Sequence, residues 1–335
     1  MNILVTGASG FIGSFIVEEG LKRGYTIWAG IRKDSSQRFL QDPRIKFIEI
    51  DLLSPDSIDE QIREYAKENG KWDYVIHVAG ATKCLDKKDF MNVNFEGTRN
   101  LVETLKKHNL LPKQFIYLSS LSIFGPIREE EPYSPISDSD EACPNTAYGY
   151  SKMMAEAYIR SCPELPYVIL RPTGVYGPRE RDYYKMFVSI KNHFDFSVGY
   201  KPQIITFIYV KDLVKAIYLA IEKGITRRCY FVSEGRGYSS SSFGKYIQKE
   251  LGIKTVIRIT VPVWALKIVS IVAEWCSKIT KKPSTLNRDK FNIMKQRNWL
   301  CDTSKIEEEL GFKTSYTLEE GTRETIKWYK ENQWI

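Results

Sequence analysis

The chain opens Met1-Asn2-Ile3-Leu4-Val5-Thr6-Gly7-Ala8-Ser9-Gly10-Phe11-Ile12-Gly13-Ser14, and the reading of these residues decides the fold. Asn2 to Val5 is a short apolar run rich in branched residues, and the glycine-rich segment follows it with no spacer before an amphipathic stretch begins. That order predicts strand, turn, helix. Gly7 permits the tight turn, Gly10 carries no side chain to hold a pyrophosphate off the backbone, and Gly13 lets the helix sit close on the sheet. Unpaired N–H groups at the helix start, with the positive end of its dipole, then face the phosphates. Gly7, Ser9, Gly10, Phe11, Ile12 and Gly13 are the candidate cradle.

Working outward, apolar residues recur at helical spacing through Ile16, Val17 and Leu21 and stop at Gly24. Tyr25 to Ile31 is the second expected strand, and it ends in Arg32-Lys33 with no carboxylate before Asp34. An acidic side chain there would bond the ribose hydroxyls of NAD. Two cations where a 2′-phosphate would lie predict NADP as the preferred cofactor, with NAD the alternative and a solvated basic loop the bland reading of the pair. Lys46 to Ile50 is the third strand, closed by Asp51-Leu52, a carboxylate and an apolar side chain suited to the adenine. Asp73 to Val78 is the fourth, and Ala79-Gly80-Ala81 after it are small enough to let a cofactor lie on the backbone. His77 reads as a packed core histidine rather than an acid or base. Asn94 lies in the next helix, which runs to about His108. Gln114 to Leu118 is the fifth strand, followed by Ser119-Ser120-Leu121-Ser122-Ile123-Phe124-Gly125. Strand and helix alternate from residue 2 onward, so the fold class is α/β, a Rossmann-type doubly wound parallel sheet.

A proline-bearing loop over 126–146 precedes Tyr148-Gly149-Tyr150-Ser151-Lys152, the head of a helix. Four-residue spacing puts Tyr148 and Lys152 on one helical face. A lone phenol is a poor base at neutral pH. An ammonium one turn away and an oxidised nicotinamide both favour the phenolate, so Tyr148 becomes the candidate acid/base, Lys152 its partner and Ser120 the group that holds the reacting oxygen.

After the strand Tyr167 to Leu170 the alternation loosens. The expected partition is a nucleotide-binding domain at 1–179 plus 206–232 and a smaller, interleaved substrate domain at 180–205 plus 233–335. Within the latter, Trp264, Ile268, Ile271, Val272, Trp275 and Ile279 form an apolar stripe at helical spacing, with Lys267, Glu274 and Lys278 elsewhere. Such a stripe predicts a face packed on the core; a wall of the substrate pocket and a shallow membrane contact are the other readings.

Composition narrows the function. At 335 residues and 43% apolar the chain can bury a substantial core. Six cysteines lie scattered without a CxxC pair, and three histidines are too few for a histidine metal centre, so the expectation is reduced thiols and no metal. A formal charge of +8 spread along the chain argues against nucleic acid as partner. No apolar run long enough to span a bilayer and no leader-like start appears, which predicts a cytoplasmic protein acting on a small molecule.

Together these residues resemble the extended short-chain dehydrogenase/reductase family, the NAD-dependent epimerases/dehydratases. Thr6 to Gly13 matches its TGxxGxxG, Asp51-Leu52 its adenine pair, Ser119-Ser120 with Phe124-Gly125 its SSxxxxG strand end, and Tyr148 with Lys152 its catalytic pair. Arg171-Pro172-Thr173-Gly174-Val175-Tyr176-Gly177-Pro178 matches its nicotinamide-side loop, and Phe207 to Asp212 its FxYVxD element. The resemblance implies hydride transfer with a bound nicotinamide nucleotide. It also implies that Pro172, Thr173, Gly174 and Val175 contact the nicotinamide side and that Lys152 binds the nicotinamide ribose; members often form homodimers through the helices that here are Asp89 to His108 and Tyr148 to Ser161, which makes a homodimer possible without fixing the oligomeric state. Nucleotide-sugar members usually carry an arginine for the diphosphate where Ile205 stands, and an asparagine where Thr173-Gly174 stands. Lys201 and Arg258 are the cations left to replace that arginine. With Asn298-Trp299-Leu300-Cys301-Asp302-Thr303-Ser304-Lys305, the chain looks closer to the 3β-hydroxysteroid dehydrogenase and dihydroflavonol reductase branch. The expectation is therefore interconversion of a secondary alcohol and a ketone on a fairly apolar substrate. The alternatives are a nucleotide-sugar 4-epimerase or dehydratase with tightly bound NAD, and a non-catalytic cofactor-binding protein.

Overall fold

A computed structural model describes residues 1–280 and 286–335; residues 281–285 and the side chain of Lys278, hence its expected place off the stripe, lie outside the described part. Strand and helix alternate as β1 (Asn2–Thr6), α1 (Phe11–Lys22), β2 (Thr26–Ile31), β3 (Lys46–Glu49), α2 (Pro55–Asn69), β4 (Tyr74–His77), α3 (Lys87–Phe90), α4 (Gly97–Lys107) and β5 (Gln114–Leu118). There follow α5 (Ala147–Ser161), β6 (Tyr167–Pro172), β7 (Gly174–Tyr176), α6 (Tyr184–Lys191), β8 (Phe194–Val198), β9 (Ile204–Ile205), β10 (Phe207–Tyr209), α7 (Val210–Lys223) and β11 (Arg228–Val232). The remainder is β12 (Tyr238–Ser239), α8 (Ser242–Leu251), β13 (Ile257–Val261), α9 (Val263–Thr280), α10 (Arg288–Lys295), α11 (Ser304–Leu310) and α12 (Leu318–Glu331).

These elements form two interleaved compact units, the first from residues 1–120, 150–171 and 214–230, the second from 121–149, 172–213 and 231–335. Segments 121–149, 172–179, 206–213 and 231–232 thus cluster with the second unit, whereas the sequence assigns them to the nucleotide-binding domain. Hydrogen bonds account for this grouping: Gln296 donates to the Gly125 carbonyl and Ile136 N–H to the Leu300 carbonyl.

The first unit carries the seven-stranded sheet, ordered β11-β6-β5-β4-β1-β2-β3, with β1 to β6 paired parallel. The order reverses between β1 and β4, and the carboxyl ends of those strands flank the switch point where open α/β sheets bind ligands. Leu4, Val75, Phe115, Tyr117 and Ile169 face α2, α4 and α5 and form one buried core with Ile58, Ile62, Leu101, Leu105 and Ile159. A run of six π-helical residues, Met91–Glu96, joins α3 to α4.

The second unit holds three two-stranded sheets, β7-β10, β9-β12 and β8-β13. Its centre is aromatic: Tyr176, Phe187, Phe207, Tyr209, Phe243 and Tyr329 are all at most 4% exposed. Phe187 and Phe243 meet edge to face at 5.7 Å, as do Phe187 and Tyr329 at 5.2 Å. The stripe on α9 is not core. Trp264, Ile268, Ile271, Val272, Trp275 and Ile279 are all exposed, because the helix packs through Leu266, Ser270 and Ser277 instead. No described helix is long and apolar enough to cross a membrane.

Candidate active site

The N-terminal cradle is built from β1, its turn and the start of α1. Gly7 has φ +68°, and a side chain there would come within 2.7 Å of the Ala79 Cα; one on Gly13 would strike the Gly7 carbonyl. The backbone is therefore drawn together in a way only glycine allows. Gly10 precedes α1 in extended conformation, no side chain caps the helix, and its first turn holds no acid. Donors are thus left facing outward at a positive helix end, and the residues present fit a dinucleotide pyrophosphate.

Around that cradle, Arg32 and Lys33 follow β2 directly and are exposed. The Arg32 N–H donates to Ser35 Oγ at 3.0 Å, and Ser35 N–H returns a bond to the Arg32 carbonyl, closing a tight turn at the strand's end. Asp51 is half-buried and accepts the Leu53 N–H at 3.1 Å, while Leu52 is buried against Gly97. Ala79, Gly80 and Ala81 leave β4. Asn94, fully buried in the π-helical run, pins this segment: its Oδ1 accepts the Ala81 N–H at 2.7 Å and its Nδ2 donates to the Ala81 carbonyl at 3.0 Å. The same Nδ2 donates to Ser151 Oγ at 2.9 Å, which ties the loop after β4 to α5.

Lys152 is the charged group of this cluster. A side chain on Gly80 would lie 3.0 Å from Asn94 Oδ1 and 3.3 Å from Lys152 Nζ, so Gly80, Asn94 and Lys152 are brought together. The ammonium donates to the Leu118 carbonyl at 2.8 Å and lies 4.7 Å from the Tyr117 ring centre. Burial pulls its pKa down to about 8, and the negative charge of Glu156 opposes that shift.

Behind it runs a buried polar chain that sequence reasoning missed. Thr6 Oγ1 lies 2.6 Å from His77 Nδ1, His77 Nε2 lies 2.9 Å from Thr98 Oγ1, and the Thr98 hydroxyl donates to the Asn94 carbonyl at 2.6 Å. His77 is the packed histidine expected, its pKa lowered to about 3 by burial and by the Lys152 charge. The i, i+4 spacing of Asn94 and Thr98 was the signal available; the partner residues are too distant in sequence to announce themselves.

Of the other catalytic candidates, Ser119 is buried and Ser120, half-buried, ends the first unit's segment after β5. Tyr148 is half-buried in the first turn of α5, one turn before Lys152. That turn is fixed from below: Thr146 Oγ1 caps the helix by accepting the Gly149 N–H at 3.0 Å, and Asp289 accepts the Ala147 N–H at 2.8 Å. Gly149 packs directly on the Ser122 carbonyl, which seats the turn bearing Tyr148 on the strand-end segment. Pro172 ends β6, Thr173 links it to β7, which begins with Gly174 and Val175, and the buried Thr173 Oγ1 has no hydrogen-bond partner among the described residues. No disulfide joins the six cysteines, and no cluster that could hold a metal occurs among the described residues.

The chain is similar to known proteins. The NAD dependent epimerase/dehydratase family matches residues 3–232. A dTDP-glucose 4,6-dehydratase of Haemophilus influenzae is 26% identical over 99% of this chain and 98% of its own length. A decarboxylating sterol-4-alpha-carboxylate 3-dehydrogenase of Candida albicans is 22% identical over 99% of this chain and 98% of its own. Among solved structures, the UDP-glucose 4-epimerase of Thermotoga maritima with UDP-glucose superposes with a TM-score of 0.77, at 23% identity over 99% of this chain and all of that one. With the cradle, the parallel sheet and the tyrosine–lysine turn in place, the chain belongs to the NAD-dependent epimerase/dehydratase family of extended short-chain dehydrogenases/reductases.

Proposed function

We propose that this enzyme interconverts a secondary alcohol and a ketone on a substrate that carries no diphosphate. Tyr148 takes the proton of the substrate hydroxyl or returns it, Lys152 favours its phenolate, and Ser120 holds the substrate oxygen. The nicotinamide nucleotide, when bound, supplies or accepts the hydride. Gly7 to Gly13 hold its pyrophosphate, Arg32 and Lys33 the adenosine 2′-phosphate of the preferred NADP, and Asp51 and Leu52 its adenine. Asn94 keeps the Ala79–Ala81 shelf rigid, and Pro172 to Val175 lie on the nicotinamide side.

The observation that carries the substrate reading is Ile205. It pairs with Tyr238 in β9-β12, at the position where the resemblance puts the arginine of nucleotide-sugar members. A desolvated diphosphate without a matching cation is costly. Of the two replacements, Arg258 is held by Gln248 Oε1 at 2.6 Å and by Asp195 at 3.6 Å, and Lys201 is exposed.

The second reading, a nucleotide-sugar 4-epimerase or dehydratase with tightly bound NAD, is favoured by the names of the relatives, among them dTDP-glucose 4,6-dehydratases and a UDP-glucose 4-epimerase. Incubation with bulky ketones and NADPH or NADH, in parallel with UDP- and dTDP-sugars, separates the readings. Net cofactor oxidation by a ketone, lost in Tyr148→Phe with NADPH binding retained, is the expected result. Epimerised sugar without net redox change sinks it.

A further inference from the structure

Helix α9 is inside out. The side it turns to the protein is made of Leu266, Ser270 and Ser277, at most 8% exposed, while Trp264, Ile268, Ile271, Val272, Trp275 and Ile279 are 37% to 69% exposed. At 3.6 residues per turn, those six fill an arc of about 100° centred opposite the two serines. Its tryptophans stand eleven residues apart, or about 16 Å along the axis. A soluble helix buries such an arc; a contiguous exposed one marks a surface that meets something apolar.

A second exposed apolar face lies just before it in the chain. In β8-β13, Phe194 pairs with Ile257 and Phe196 with Ile259, four side chains on one face of a two-stranded sheet, each at least 36% exposed. Asp195, on the opposite face, is buried. From Val261, Pro262 leads straight into α9, and the Gly199 N–H donates to the Val261 carbonyl beside Tyr200, which is itself 77% exposed.

Charge chooses the occupant. Lys191, Lys201, Lys254 and Lys267 are exposed in and beside these elements. Asp195 and Glu274 are the two acids of residues 191–201 and 254–280, and both are engaged, with Arg258 and Arg288 respectively, each at 3.6 Å. A second copy of the chain would set these cations against themselves. An anionic bilayer answers both halves of the surface: tryptophans and branched chains enter the headgroup boundary, and lysines meet lipid phosphates.

We propose that the α9 face and the adjoining β8-β13 sheet form a monotopic docking surface for an anionic lipid bilayer. It holds whichever substrate reading is right, because it rests on residues outside the catalytic cluster.

The test is sedimentation of the full-length protein with equimolar phosphatidylcholine/phosphatidylglycerol vesicles and with phosphatidylcholine alone. Wild type is expected to pellet with the mixed vesicles, with its tryptophan emission shifted to shorter wavelength, and to be released by high salt. Ile268→Glu combined with Trp275→Glu alters exposed side chains only; it should keep the wild-type melting temperature and bind more than about tenfold more weakly. Lys267→Glu should weaken binding to the mixed vesicles alone. Absence of vesicle binding, equal binding to both lipids, or equal binding by the double variant overturns the proposal. So does a wild-type dimer that the double variant dissociates without any vesicle binding.

Discussion

The Lys152 ammonium donates to the backbone carbonyl of Leu118 across 2.8 Å, so the cation beside the proposed base is anchored to the end of β5. Burial holds its pKa at about 8, below the ordinary lysine value of 10.5. Between those values the unfolded chain carries more protons than the folded one, so stability rises with pH across that window. Relative to Lys152→Met, the wild type is expected to gain up to about 3 kcal/mol from pH 8 to pH 10. Urea unfolding of both proteins at several pH values measures the difference, and a flat difference refutes the buried charge.

His77 works in the opposite range. Its folded pKa of about 3 lies below the ordinary 6.5, so the unfolded chain takes up a proton that the fold refuses. Stability is expected to fall as pH drops from 6.5 towards 3. His77→Gln, which cannot protonate, should show a shallower fall in melting temperature over the same range. Parallel slopes for the two proteins would mean that the Thr6–His77–Thr98 chain does not impose neutrality.

Arg32 stands free of ion pairs among the described residues, directly after β2, and its side chain is open to an incoming phosphate. Charge-assisted bonds contribute about 1.5–3 kcal/mol. Arg32→Ala is expected to weaken NADPH by about tenfold or more and NADH by little, read as dissociation constants from fluorescence titration. Equal losses for both nucleotides would place the 2′-phosphate elsewhere.

What the sequence could reveal follows from how far apart the interacting residues are. Asn2 to Gly13 carries strand, turn and helix start in one local pattern, and the tyrosine–lysine pair is four residues apart on α5. Such signals need no knowledge of the tertiary fold. The Thr6–His77–Thr98 chain joins residues 71 and 21 positions apart, and the π-helical run at Met91–Glu96 leaves no compositional trace. The stripe on α9 was visible as a period of 3.6, but a period does not say which side faces inward. Ser270 and Ser277, small enough for close packing, took that side. In β8 and β13 the alternation is equally plain, and there too the apolar residues face out.

The ion pair behind Lys152 yields the last prediction. Arg171 Nε and Nη2 donate to the Glu156 carboxylate at 3.1 and 2.7 Å, with side chains only 7% and 4% exposed. Glu156 is also one turn along α5 from Lys152, and its charge opposes the burial that lowers the lysine. Glu156→Gln leaves Arg171 buried without its counter-charge, which costs about 3 kcal/mol or more. The same change removes support from Lys152, so the lysine limb of the pH–rate profile should move to lower pH. Replacing both partners, Glu156→Leu with Arg171→Met, should restore most of the stability, because the buried guanidinium is removed together with its carboxylate. It should leave the lysine limb shifted, because the carboxylate is still gone. A limb restored in the double variant would mean that the net charge of the Glu156–Arg171 pair, and not the Glu156 carboxylate alone, sets the protonation of Lys152.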